Sequence, residues 1–315
     1  MKIYNSIEEF IPKFKVALTL GTFDGVHIGH QSIIEKLNEV AEKIDGESVL
    51  MTFYPHPRHV LQPNNQKLKL LSTIEERSEM LKEYGLKHFI IQEFTKNFSQ
   101  LKSDNFVKEI LVDKLCVKKL IVGYDHHFGR NRAANIEDLR EYGDFYGFEV
   151  TEIKSQEIDD VAVSSTKIRN ALNQGNIQLA NKFLGYNYSL SGIVTKGKGI
   201  GSTINFPTAN IYIKESYKLI PRHGVYLAKS FINESEFFGM INIGNNPTVS
   251  DNDKHIHIEI HFFNFSHDLY GKKIDVELLD YIRSEIKFSS IDSLKEQLEK
   301  DKKNANQRID LILKM

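Results

Sequence analysis

Residues Gly21 to His30 read GTFDGVHIGH, a glycine-containing turn between an apolar run and an amphipathic segment. A helix starting there leaves backbone N–H groups free at the positive end of its dipole, and glycines let an anion approach the main chain closely. A phosphate would sit there. His27 and His30 lie three residues apart, so both imidazoles fall on one side of the helix entry and could hold one triphosphate together. The plain alternative is a capped turn whose histidines only pack. Ser164 to Arg169, SSTKIR, opens another helical segment. The hydroxyls of Ser164, Ser165 and Thr166 can cap a helix or bind phosphate oxygens, and Lys167 and Arg169 add charge.

Two further patches stand where strands should end, the face on which open α/β sheets bind ligands. Thr52 to Pro57 (TFYPHP) follows one apolar run and Gly123 to Gly129 (GYDHHFG) follows another, so His56, Arg58, Asp125 and Phe128 could line a substrate crevice. Ordinary loop chemistry or an incidental metal site is the alternative.

Gly197 to Asn210, GKGIGSTINFPTAN, is a second glycine-rich loop, in which Gly199 and Gly201 could let amides wrap phosphates. The Thr208 hydroxyl and the Asn210 amide oxygen are hard ligands suited to Mg²⁺. Further on, His255, His257, Glu259 and His261 alternate, which in a strand puts all four on one face. A single strand rarely supplies a whole coordination sphere, so a solvated polar face is expected there rather than a zinc or iron site.

The elements that must position these residues follow from periodicity. Val16 to Leu20, Ser48 to Phe53, His88 to Ile91, Lys119 to Val122 and Glu149 to Ile153 are short apolar runs, separated by amphipathic segments. Between the first two, Ile33, Ile34, Leu37, Val40, Ala41 and Ile44 recur at helical spacing. Similar segments run from Thr73 to Tyr84, Ser103 to Leu115 and Asn135 to Tyr146. The pattern predicts an α/β chain whose N-terminal part is doubly wound and Rossmann-like. After Leu184 the helical period gives way to β-rich runs at Ser189 to Lys196, Gly224 to Phe231, Phe237 to Ile243, His255 to Phe263 and Ile274 to Ile282. These predict a small antiparallel barrel, closed by one or two helices within Ser290 to Leu313. A boundary is expected near Gly185, giving domains 1–185 and 186–315.

Composition bounds the function. With 315 residues, two domains are expected; a net charge of −1 supplies no cationic field for nucleic acid, and none is expected as partner. The single cysteine, Cys116, excludes a disulfide framework and a multi-cysteine zinc site. Neither a leader nor a run of eighteen apolar residues is evident, so a cytoplasmic protein without membrane contact is expected.

His-x-Gly-His directly after the first strand resembles the nucleotidylyltransferase superfamily, whose members bind ATP without a GxxxxGK[ST] loop; this chain has none. GTFDGVHIGH, TFYPHP, GYDHHFG and SSTKIR, then FPTAN, NIGNNPT at Asn242 to Thr248 and IEIHFFNFSHDLYG at Ile258 to Gly271, together resemble the prokaryotic bifunctional riboflavin kinase/FAD synthetase family. The resemblance spans essentially the whole chain. It implies riboflavin phosphorylation to FMN and adenylyl transfer from ATP to FMN, giving FAD and pyrophosphate, with Mg²⁺ assisting. It further implies that His27, His30, Ser164, Ser165, Thr166 and Arg169 hold ATP phosphates, with Gly21 and Phe23 beside the nucleotide. His56, Arg58 and Asp125 would face FMN. In the second module Gly199, Gly201, Thr208 and Asn210 would bind Mg²⁺-ATP, and Glu259 would be the catalytic base.

Family members commonly carry Gly-Arg and then a glycine before FPTAN, where this chain has Gly201-Ser202 and Asn205. A lost arginine removes a phosphate-binding cation and asparagine constrains the loop. An adenylyltransferase with weak or lost kinase activity is therefore one alternative. An aminoacyl-tRNA synthetase-like protein using HIGH and SSTK is another, disfavoured by the charge balance. A weak homo-oligomer is left open.

Overall fold

In the computed structural model, which describes residues 1–62, 68–123, 128–130, 134–154, 157–158, 161–197, 200–245 and 256–314, the strand–helix alternation builds a parallel sheet. Its strands are β1 (Lys2–Tyr4), β2 (Lys15–Leu20), β3 (Gly46–Tyr54), β4 (His88–Glu93), β5 (Val117–Gly123) and β6 (Glu149–Ile153), in the order β1-β4-β3-β2-β5-β6. The order reverses between β2 and β5, so the carboxyl ends of those two strands frame the crevice of a doubly wound sheet. The edge strand β1 escaped the sequence pattern because three residues carry no measurable period.

Alternation along β2 shows how both faces are buried. Val16, Leu18 and Leu20 face one cluster with Val107, Leu111 and Leu139. Ala17 faces the other with Ile34, Leu37 and Ala41 of α1 (Ile28–Lys43) and Leu81 of α3 (Ile74–Glu83), while the short α2 (Pro57–Leu61) lies between. The helix expected over Ser103 to Leu115 forms a turn, α4 (Ser103–Asn105), that continues as a π-helix over Phe106–Lys114, with the Leu115 N–H donating to the Ile110 carbonyl at 2.9 Å. Next comes α5 (Ile136–Tyr146), then a small pair, β7 (Glu157–Ile158) and β8 (Val161–Ala162).

Two compact units divide the chain, Met1–Ser165 and Thr166–Met315. The division falls ahead of Gly185 because α6 (Ser165–Gln174) from Thr166 onward and α7 (Ile177–Leu184) group with the second unit, where Asn181 on α7 donates its amide to the Leu278 carbonyl at 2.9 Å. That unit is a closed antiparallel barrel of β9 (Ser189–Thr195), β10 (Ala209–Tyr212), β11 (Gly224–Ile232), β12 (Ser235–Asn245), β13 (Ile256–Phe262) and β14 (Lys273–Arg283), ordered β10-β13-β12-β11-β14-β9. Preceding β10 is the one-turn α8 (Ile200–Thr203). The sequence pattern missed β10 because four residues after a proline read as loop. One helix, α9 (Ile291–Ile312), closes the chain, laying Leu294, Leu298, Ala305 and Ile309 on Phe206, Leu227 and Met240.

Candidate functional site

Gly21 leaves β2 with its N–H bound to the Met51 carbonyl at 3.2 Å, and the chain then turns sharply. Phe23, Gly25 and Val26 take φ of 47°, 80° and 34°. Positive φ at a β-branched residue costs on the order of 1–3 kcal/mol and persists only where its surroundings enforce it. His27 is the N-cap residue of α1 but makes no side-chain cap bond, and the first turn carries no acidic residue. By contrast α3 and α5 begin with capping boxes and acidic first turns, so their positive ends are already compensated.

The two imidazoles meet as the spacing predicts. Their rings stack with centroids 3.7 Å apart and 16° between planes, and Phe23 lies against His30 at 4.6 Å. Nδ1 of His30 is buried with no hydrogen-bond partner among the described residues. Burial foremost, then His27 and the Arg77 guanidinium, holds His30 well below the ordinary histidine pKa, so it is neutral near pH 7. Ser165 is brought to the same loop, its hydroxyl donating to the Asp24 carbonyl at 3.0 Å. Ser164 precedes α6; Thr166 and Arg169 follow on its first turn, three residues apart and so on one side.

Sequence reasoning missed the residues behind the loop. Asp24 and Arg77 are both fully buried and paired at 3.5 Å, with Ser72 between them. A signal was present: Arg77 occupies the buried side of α3 four residues before Leu81, where an apolar residue is expected.

On the neighbouring strand end His56 is the N-cap of α2, its Nδ1 accepting the Arg58 N–H at 3.1 Å, and the Arg58 side chain is exposed. Phe128, expected in the crevice, is instead core: it is 7% exposed and packs on Phe106 at 6.0 Å. Its apolar ring gains more from that packing than from solvent. Asp125 lies outside the described residues, as do Gly199 and His255.

In the barrel the second loop is fixed by close approach. A Cβ on Gly201 would come within 2.2 Å of the Phe206 carbonyl, and one on Gly197 within 2.0 Å of Asn210 Nδ2. Asn205 has φ of 64°, the left-handed region that asparagine tolerates best after glycine, so the departure from glycine there keeps the turn. Asn210, 8% exposed, is directly opposite Glu259 on β13, and Glu259 is opposite Asn242 on β12. Directly opposed residues share a face, so the three form a row across three strands. Thr208 stands half-buried just before β10.

The alternating histidine face is solvated only in part, His257 and Glu259 being half-buried. His261 is buried against Phe206 at 5.0 Å, with Nδ1 bound to the Pro207 carbonyl at 2.9 Å, and His257 pairs with Glu259. The FPTAN turn folding over β13 desolvates that end. Among the described residues no group of three His, Cys, Asp or Glu side chains could hold a metal ion. Thr208 and Asn210 lie beside the glycine-rich loop, the Thr208 methyl near Gly201 and the Asn210 amide near Gly197, and their hydroxyl and amide oxygens are hard ligands of the kind Mg²⁺ takes. No described helix is long and apolar enough to cross a membrane.

Comparison with known proteins covers both units. A family model described as FAD synthetase matches residues 12–167, and one described as riboflavin kinase matches residues 184–309. The chain is 37% identical to a bifunctional riboflavin kinase/FMN adenylyltransferase of Listeria monocytogenes, over 91% of this chain and 90% of that one. It is 34% identical to the protein of that name from Escherichia coli K12, over 98% and 97%. Among solved structures, a protein described as a macrolide-efflux protein from Streptococcus pneumoniae matches with a TM-score of 0.88 at 30% identity, covering 96% of this chain and 98% of that one.

Proposed function

Since this chain belongs to the family of bifunctional riboflavin kinases/FMN adenylyltransferases, we propose how its residues divide the two reactions of FAD synthesis. It phosphorylates riboflavin to FMN with ATP and transfers adenylyl from ATP to FMN, releasing FAD and pyrophosphate. Our reading gives adenylyl transfer to residues 1–185 and phosphorylation to residues 186–315, with small molecules as partners, no nucleic acid and a cytoplasmic setting.

Adenylyl transfer needs two polyanions aligned and the charge between them neutralised, with no protein nucleophile. His27 and His30 stand at the α1 entry to donate to triphosphate oxygens. Ser164, Ser165, Thr166 and Arg169 supply hydroxyls and a cation at the start of α6, and Gly21 and Phe23 flank the nucleotide. His56, Arg58 and Asp125 face FMN. The FMN phosphate then attacks the α-phosphorus as pyrophosphate leaves. The observation that carries this reading is the stacked histidine pair at a helix entry with no acidic residue in its first turn.

For phosphorylation, Glu259 accepts the proton of the riboflavin 5′-hydroxyl as that oxygen attacks the γ-phosphorus. Gly199 and Gly201 let the loop close on phosphates, while Thr208 and Asn210 would hold Mg²⁺. That ion, when bound, withdraws charge from the transferring phosphoryl group. His257, bonded to Glu259, orients the carboxylate.

The test is to incubate the full chain with ATP, Mg²⁺ and either riboflavin or FMN, and to separate the flavins by chromatography. His30→Ala is expected to lower FAD formation by roughly 100-fold and to spare riboflavin phosphorylation. For Glu259→Gln the pattern reverses, again by roughly 100-fold or more. Equal loss of both reactions in either variant would contradict two separate sites.

A further inference from the structure

The phosphate-facing surface of the Gly21–His30 loop is taken up by the reading above; its back is not. There Asp24 accepts the Leu71 N–H at 2.9 Å to Oδ1 and 3.1 Å to Oδ2, and the Ser72 N–H at 3.1 Å. The Ser72 hydroxyl accepts the Gly25 N–H at 3.0 Å. Arg77 reaches the same hydroxyl from Nε at 3.4 Å, and from Nη2 it reaches the Ser72 carbonyl at 3.4 Å and Asp24 at 3.5 Å. An ion pair this deeply buried is a poor source of stability compared with apolar packing of the same volume, so its presence asks for another reason.

That reason lies in what the cluster touches. The residues it grips, Asp24 and Gly25, sit between the positive-φ positions Phe23 and Val26. The Asp24 carbonyl receives Ser165. One cluster therefore ties together the strained loop, the segment leading into α3 and the first residue of α6.

We propose that Asp24, Ser72 and Arg77 form a positioning clamp for adenylyl transfer, holding the His27–His30 pair and Ser165 in their triphosphate-ready arrangement before nucleotide arrives. The inference rests on the assignment of that pair to the triphosphate. The clamp also carries a charge. Arg77, compensated by Asp24, acts with the stacked His27 and with burial to keep His30 unprotonated, so clamp and imidazole are electrostatically linked.

The experiment uses the full chain. In Arg77→Met, kcat/KM for FAD formation from FMN is expected to fall roughly 100-fold, with KM for ATP raised, while riboflavin phosphorylation stays within about twofold. The His30 imidazole resonance, assigned by difference from His30→Gln, is expected to titrate at higher pH in Arg77→Met. In Arg77→Lys it keeps its wild-type position, since charge is retained although the fork is lost. Unchanged FAD formation in Arg77→Met, an unmoved His30 titration, or equal loss of both activities overturns the clamp. If Arg77→Met does not fold, Ser72→Ala carries the test: about a tenfold loss of FAD formation is expected at an unchanged His30 titration, and wild-type activity overturns the proposal. His30→Ala in parallel separates the two levels. If it leaves FAD formation intact, the triphosphate assignment fails; if it abolishes FAD formation while Arg77→Met does not, the clamp alone fails.

Discussion

The glycine-containing loops of the two units, Gly21–His30 and Gly197–Asn210, are held by opposite means. Behind Gly21–His30 stand buried charges, Asp24 and Arg77, and the loop itself accepts positive φ at two non-glycine residues. The barrel loop is held by contact: Gly201 against the Phe206 carbonyl, Phe206 against His261 and Lys302, and the Pro207 carbonyl on His261. Charge fixes both a geometry and a protonation state, whereas packing fixes geometry alone. The first loop should therefore respond to changes of charge at constant shape, and the second to changes of shape at constant charge.

Substitutions in the barrel loop probe that contrast. Gly201→Ala, which drives a methyl into a backbone carbonyl, is expected to cut riboflavin phosphorylation roughly 100-fold in steady-state assays and to leave FAD formation from FMN unchanged. If FAD formation falls equally, the loops are not independent. His261→Phe keeps the ring but loses the bond to Pro207; about a tenfold fall in phosphorylation is expected, with no change in adenylyl transfer. At Asn205, alanine should lower stability by about 1 kcal/mol in denaturant titrations while glycine is nearly neutral, because only the left-handed φ is at issue.

The smallest effect concerns acid. His88 is buried among Phe10, Phe14 and Tyr4, and burial lowers its pKa despite the opposing contact with Glu47. A histidine neutral in the fold contributes stability that is present above its unfolded pKa of about 6.5 and is lost as pH falls through that value toward the lower folded one. Unfolding midpoints measured between about pH 7 and pH 5 should fall more steeply for the wild-type chain than for His88→Gln. Parallel curves would remove His88 as a source of acid sensitivity in the N-terminal unit.

Much of this arrangement was legible in the residues. The period of α1 and the His27–His30 spacing predicted a helix with two imidazoles together at its entry, because those features are local. What was not legible is long-range. Arg77 gains its meaning only when α3 packs beneath a loop some fifty positions earlier in the chain. Phe128 and His261 look like site residues by composition, yet burial, which no short window reveals, makes one core and the other a prop. β10 was hidden by the same turn that places Thr208 and Asn210.

Closure of the barrel has a bearing on self-association. Each of its six strands is paired on both sides, so among the described residues that unit has no edge strand. The parallel sheet ends in β1, of three residues, and in β6, of five. Among the described residues the open strand edges therefore lie in the N-terminal unit, on β1, on β6 and on the β7–β8 pair, and assembly by strand addition would use those.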